Sequence, residues 1–259
     1  MKRVAIKIAY LGRDYSGSQY QPGLKTVVGD VYSDLESITK DVDRKWFDLK
    51  VASRTDAGVN ALDNVIVFNT KFDNVFVLLD ALNGVSRRIF YKSVAEVDRT
   101  FNPRFADFRT YKYNLYSEGI DFNKVVECSK LFVGKHNFVK FCKSDARNTV
   151  LSIEYINVSR IDGFIVLTFR SRCFLWNMIR RIMSAVESVG KGMHSLNDIK
   201  DALNGENINF GMARPDALTL AEVSYNNVKF LYSGSKQYYK RLKEERLRNA
   251  LESSFFSQL

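Results

Sequence analysis

The sequence predicts an α+β fold of two ferredoxin-like halves with a joined antiparallel sheet and a central cleft. Three observations carry that expectation. The chain up to about residue 103 reads as strand, helix, two strands, helix, strand, the β-α-β-β-α-β order. A similar order then follows. The 259 residues also exceed the roughly 100–200 of an ordinary single domain. The halves are expected at 1–103 and 104–259, joined within Asp98–Arg109 without a low-complexity linker. A cleft between two halves is a common place for a binding pocket.

Each element has its own signal. Arg3–Tyr10 alternates, with Val4, Ile6 and Ile8 on one face and Lys7 on the other, as a half-buried strand does. The polar, Gly-containing stretch Gly12–Thr26 reads as a surface loop with a turn at Pro22-Gly23. From Thr26, a predicted N-cap, Val28, Val31, Leu35, Ile38 and Val42 recur at three- and four-residue steps and predict an amphipathic helix. Strands are expected at Phe47–Ser53 and Val65–Asn69, a helix at Val75–Leu82 and a strand at Phe90–Val97. In the second half Tyr111, Tyr113 and Leu115 alternate with Lys112, Asn114 and Tyr116, a strand, and Phe122–Phe132 reads as helix. Ser152–Ile161 and Gly163–Ser171 form a predicted hairpin around Asp162-Gly163. Phe174, Met178, Ile182, Ala185 and Val189 keep helical spacing, and Thr219–Val228 supplies a last strand. The tail from Lys236 is a basic helix carrying Lys240, Arg241, Lys243, Arg246 and Arg248, read as a solvated face in preference to an RNA contact.

Composition narrows the class. The apolar runs Val4–Tyr10, Val65–Phe68 and Ile165–Phe169 fall far short of the ~18–20 residues that span a bilayer. No membrane association is expected. Lys7 interrupts the N-terminal apolar stretch and no small-residue cleavage site follows, so a signal peptide is not expected and the cytoplasm is. Cys128, Cys142 and Cys173 form no close-spaced pair, which fits a reducing compartment. His136 and His194 stand apart with no Cys-x-x-Cys, so no metal site is expected. The formal charge of +10 points to a polyanion as partner, and 13 tyrosines and 19 phenylalanines offer stacking surfaces, although most must be core.

The stretch Ala52–Ala61, ASRTDAGVNA, sets Arg54, Thr55 and Asp56 side by side between two predicted strands, just before Ala57-Gly58. Residue types leave two readings open. One is a turn tied down by an Arg–Asp pair. The other is a reactive carboxylate, since carboxylates attack electrophilic carbons. A buried acid stays ionised only beside a cation.

Five ordered segments resolve the choice. SRTDAGVNA resembles the Arg-Thr-Asp-Ala-Gly-Val-His-Ala signature of the tRNA pseudouridine synthase A family. YSGSQYQPGLKTV resembles that family's Gly- and Gln-rich forefinger region, and FNPRFADFRTYKYNLY its Phe-x-x-Arg-Phe and Arg-x-Tyr-x-Tyr block. FLWNMIRRIMSAVESVG resembles its Phe-x-x-x-Met-(Val/Ile)-Arg helix, in a form more like archaeal than bacterial members, and MARPDALTLAEVSY its closing segment. The resemblance implies isomerisation of uridine to pseudouridine in the anticodon stem-loop of tRNA, at positions 38–40. It implies a homodimer acting on tRNA with no cofactor and no metal.

It further implies that Asp56 attacks the target nucleoside at uracil or ribose, that Arg54 helps flip it out, that Tyr111 stacks on the base and that Arg180 pairs with Asp56. Thr55, Gln21, Asn60 and Arg104 are implied substrate contacts. The roles are physically sensible. Extruding a stacked base costs a few kcal/mol, base–aromatic stacking returns roughly 1–3 kcal/mol, and an arginine ~4 Å from Asp56 favours the carboxylate by about 4 kcal/mol at an effective dielectric of ~20, before desolvation. The small Ala57-Gly58 turn would let a nucleic-acid backbone come near. Three departures from the family pattern stand out: Asn60 replaces the usual His, Tyr20 precedes Gln21 where Trp is common, and Asp216-Ala217 replaces Glu-Gly. The alternative they suggest is a non-catalytic tRNA-binding or chaperone protein on the same fold.

Overall fold

Alternation in the first segment produces β1 (Lys2–Tyr10), whose Val4, Ile6 and Ile8 are fully buried. The structure is a computed structural model describing residues 1–39, 43–143, 148–232 and 234–258. Helix α1 (Val27–Thr39) starts where expected, with the Gly29 N–H donating to Thr26 Oγ1 at 3.2 Å, and it buries Val27, Val31 and Leu35. Val42, assigned to the same helix from the sequence, lies outside the described residues. A short α2 (Arg44–Phe47) and β2 (Lys50–Val51) lead into β3 (Asn60–Thr70), followed by α3 (Val75–Val85) and β4 (Phe90–Val97). The second half runs β5 (Phe108–Tyr116), α4 (Phe122–Lys130), β6 (Gly134–Asn137), β7 (Val150–Ile153), β8 (Tyr155–Ile161), β9 (Phe164–Ser171), α5 (Met178–Gly190), α6 (Leu196–Leu203) and β10 (Leu218–Ser224). Finally β11 (Leu231–Tyr232) precedes α7 (Lys236–Phe256).

One nine-stranded sheet joins almost everything, in the order β11-β4-β1-β3-β10-β5-β9-β8, with β2 also on β3. Both halves repeat one spatial order: β4-β1-β3-β2 in the first, β10-β5-β9-β8 in the second. The halves meet at β3 and β10. That pair is parallel, Asn60 beside Thr219 and Ala61 beside Leu220, so the sheet is mixed and not the wholly antiparallel one expected. Leu78, Leu79 and Leu82 of α3 complete the first half of the core, and Ile179, Ile182, Val186 and Val189 of α5 the second. Each such buried side chain contributes roughly 1.5–3 kcal/mol. Among the described residues no helix is long and apolar enough to cross a membrane.

Three sequence expectations need correction. The strand expected at Phe47–Ser53 shrinks to Lys50–Val51, because Asp43 caps α2 through the Lys45 N–H and Asp48 ends it at φ 42°, turning the chain before pairing begins. The strand Ser152–Ile161 is broken at Glu154, with β7 pairing β6 and β8 pairing β9. The helix expected from Phe174 starts only at Met178, since Asn177 sits at φ 62° and interrupts the spiral. The turn Asp162-Gly163, at φ 47° and 78°, is the left-handed hairpin turn its dipeptide demands. On α7, Tyr238 packs edge-on against Phe90, the Arg241 guanidinium lies over the same ring, and no residue is fully buried.

Candidate active site

The loop between β2 and β3 is fastened on both sides of Asp56. The Thr55 N–H donates to Ser18 Oγ at 2.8 Å, the Ser18 N–H donates to the Thr55 carbonyl at 3.0 Å, and Thr55 Oγ1 shares a 2.8 Å hydrogen bond with the Tyr10 hydroxyl. Asn64 extends the network by donating to the Tyr10 hydroxyl and the Ser53 carbonyl. Beyond Asp56 the Val59 N–H donates to the Asp56 carbonyl at 3.2 Å, closing a β-turn with Gly58 at φ 82°. A Cβ at Gly58 would lie 2.9 Å from Pro215 Cγ, and one at Gly12 2.3 Å from the Gly58 backbone. The glycine expected to admit nucleic acid is therefore required by the protein's own packing.

Held at that corner, the Asp56 side chain keeps 29% exposure. Its two oxygens have different partners. Oδ1 accepts from the Trp176 indole N–H at 2.9 Å, and Oδ2 faces Arg180 Nη1 at 3.4 Å. Arg180 projects from the first turn of α5 and is steadied by Nε donating to the Ala213 carbonyl at 2.8 Å, while the Ala213 N–H returns a bond to the Arg180 carbonyl. Tyr111, from β5, meets Phe174 edge-to-face with centroids 5.3 Å apart. Burial pushes the Tyr111 hydroxyl well above its ordinary value, so it stays protonated.

These groups border a cavity of about 910 Å³ between the halves. Of the residues singled out from the sequence, Asp56, Tyr111 and Arg180 line it together with Arg54, Gln21, Thr55 and Arg104. Arg54 and Arg104 are exposed at its rim, as is Arg172. Thr55 is buried and spends its hydroxyl on Tyr10. Asn60 lies outside the lining: its Nδ2 donates to the Asp216 carbonyl and its Oδ1 accepts from the Gly12 N–H, both at 2.8 Å. Two of the three departures from the family pattern thus touch each other. Asp216 is also held by Arg214 in a two-pronged pair at 2.7 and 2.6 Å, which depresses its carboxyl below the usual range.

A family model described as tRNA pseudouridine synthase matches residues 128–226, the stretch that carries Trp176 and Arg180. The tRNA pseudouridine synthase A of Pyrococcus abyssi is 36% identical over 258 residues, covering 98% of this chain and 96% of the relative. The chain belongs to the tRNA pseudouridine synthase A family. Relatives of the same name in Thermococcus sibiricus, 39% identical over 88% of this chain and 86% of theirs, and Methanosarcina mazei, 37% identical over 86% and 84%, agree. The archaeal character expected from FLWNMIRR accords with these organisms. As a tRNA pseudouridine synthase, the protein is an isomerase.

For this synthase the sequence left two local devices unseen. Trp176 was hidden because a helix beginning at Phe174 would point residues 174 and 176 in widely different directions, whereas the observed non-helical segment turns both toward the cavity. Arg109, in the sequence part of a motif and the end of the expected junction, carries no signal of its partners there. In the fold it is a clamp, donating to Ser53 Oγ at 3.0 Å and to the carbonyls of Ala52, Arg104 and Arg172, and so it ties the Asp56 loop to the second half.

Proposed function

We propose that this synthase isomerises uridines of the tRNA anticodon stem-loop, at positions 38–40, with Asp56 as the catalytic carboxylate. The observation that carries the reading is the Asp56 side chain, open to a 910 Å³ cavity while an indole and a guanidinium hold its two oxygens. In the reaction the bond from N1 to the ribose C1′ breaks, the uracil ring turns, and a bond from C5 to C1′ closes. C5 loses a proton and N1 gains one. The balance needs no outside reagent, but the detached ring must be retained. Asp56 attacks uracil or ribose, Arg54 at the rim fills the space the nucleotide vacates, and Tyr111, braced by Phe174, offers a ring for the base. Gln21 and Arg104 reach the RNA, with Thr55 and Asn60 shaping the loop and seam beside it.

The division at 103/104 into ferredoxin-like halves is supported by the strand order that both share. A homodimer is supported by Leu247, Leu251 and Phe255, which stand 61%, 63% and 60% exposed along α7 at four-residue steps. The site of action follows the substrate: the cytoplasm. The surplus of basic side chains makes tRNA affinity fall steeply with salt.

The test is Asp56→Asn against an unmodified tRNA transcript with chemical mapping of pseudouridine. The reading expects no product and nearly wild-type tRNA affinity. Isomerisation by the variant at a comparable rate would refute it, and a wild-type protein that binds tRNA without product would favour the non-catalytic alternative.

A further inference from the structure

The geometry points to Trp176 as a positioning residue for the Asp56 carboxylate, through its indole N–H, with Lys143 strengthening that donor from over the face of the ring. The inference rests on Asp56 being the reactive group.

Several independent features converge on this indole. Its N–H reaches Asp56 Oδ1 at 2.9 Å, shorter than the 3.4 Å from Arg180 to Oδ2, so the better-made of the two bonds to the acid comes from tryptophan. A carboxylate gripped at one oxygen still rotates about its terminal torsion, which is a broad well. Gripped at both, it presents a fixed edge to the cavity. Trp176 remains 48% exposed, so a place in the core does not account for its position. The backbone turns to hold it there: Asn177 adopts φ 62° and ψ 5°, a left-handed conformation that asparagine accepts more readily than other side chains, and this sets Trp176 off the axis of α5. The Lys143 N–H fixes the Trp176 carbonyl at 2.9 Å, and its ammonium lies 3.9 Å from the ring centroid. A cation over the π face draws electron density from the indole, and the N–H becomes a stronger donor.

The arrangement also bridges the halves. Asp56 follows β2 and Trp176 precedes α5, so the contact sets the distance between acid and cavity wall where the uridine must fit. Tryptophan is suited to this because it offers one donor and no acceptor, and so it cannot take a proton from the substrate in place of the acid.

The experiment compares Trp176→Phe, Trp176→His and Lys143→Met under multiple turnover, with tRNA affinity and thermal unfolding measured alongside and Asp56→Asn as control. Phenylalanine keeps a ring and removes the donor; kcat is expected to fall about 10- to 100-fold, the scale for a misplaced reacting group, with KM within about two-fold and the melting midpoint unchanged. Histidine restores an N–H and is expected to recover at least about five-fold over phenylalanine, while Lys143→Met lowers kcat about two- to five-fold. Wild-type turnover by Trp176→Phe, or histidine no better than phenylalanine, overturns the inference. If the phenylalanine variant unfolds, the Lys143→Met result decides: unchanged kcat overturns the inference. An active Asp56→Asn variant would instead remove the reading of Asp56 itself, so the two failures are distinguishable.

Discussion

The loop 52–59 and the segment 174–177 serve the same carboxylate by opposite means. The first is fixed from within: Ser53 and Thr55 are buried, and their partners Tyr10, Asn64 and Ser18 belong to the core of the first half. The second is fixed locally, by a left-handed residue and a lysine over an exposed ring. The acid's position is therefore inseparable from folding stability. The donor's position is an added local device, replaceable at little cost to the fold.

The largest effect expected from this contrast is at Arg180, which belongs to both regimes. Arg180→Met removes the charge facing Asp56 and the bond to Ala213, and turnover is expected to fall by about 10²–10³-fold, as for other electrostatic donors at reacting centres. Steady-state kinetics check it, and Arg180→Lys, lacking the fork, should recover only part. Loss of less than about ten-fold would show that tryptophan alone suffices to hold the acid.

Next comes Gly58→Ala. The backbone at φ 82° and a Cβ 2.9 Å from Pro215 should together cost about 2–3 kcal/mol, seen as a lower denaturant midpoint. A midpoint equal to the parent's would mean that the Asp56 turn tolerates movement. The smallest is Thr55→Val, which strips one buried hydroxyl from Tyr10 and is expected to destabilise by about 1 kcal/mol. Unfolding that matches wild type there would undo the claim that the loop is carried by the core, whereas Trp176→Phe is expected to leave unfolding unchanged.

Legibility in the sequence followed the same division. β1, β4 and β5 emerge close to their expected bounds; in β5 the alternation survives into burial, Tyr111, Tyr113 and Leu115 inward and Lys112, Asn114 and Tyr116 outward, whereas Arg3–Ile6 of β1 and Ser93–Ala95 of β4 are buried without a break because both faces of those central strands are covered. The Asp56 loop was findable because its residues are contiguous. Arg180 came from a helix motif, and it does face the acid. What sequence could not supply was long range. Nothing at Asn60 announces a bond to a carbonyl 156 positions away, nor does Thr219 reveal that it will run parallel to β3. The left-handed Asn177 defeated helical periodicity, because the apolar spacing from Phe174 onward is correct while one backbone angle is not.

That parallel junction has a mechanical corollary. Asn60 and Ala61 are welded to Thr219 and Leu220 by main-chain bonds, and the Asn60 amide rivets the same line to Asp216. A clamshell opening would have to tear that weld. The mouth of the cavity can therefore widen by side-chain movement at its rim far more readily than by parting of the halves, since β3 and β10 run in one sheet.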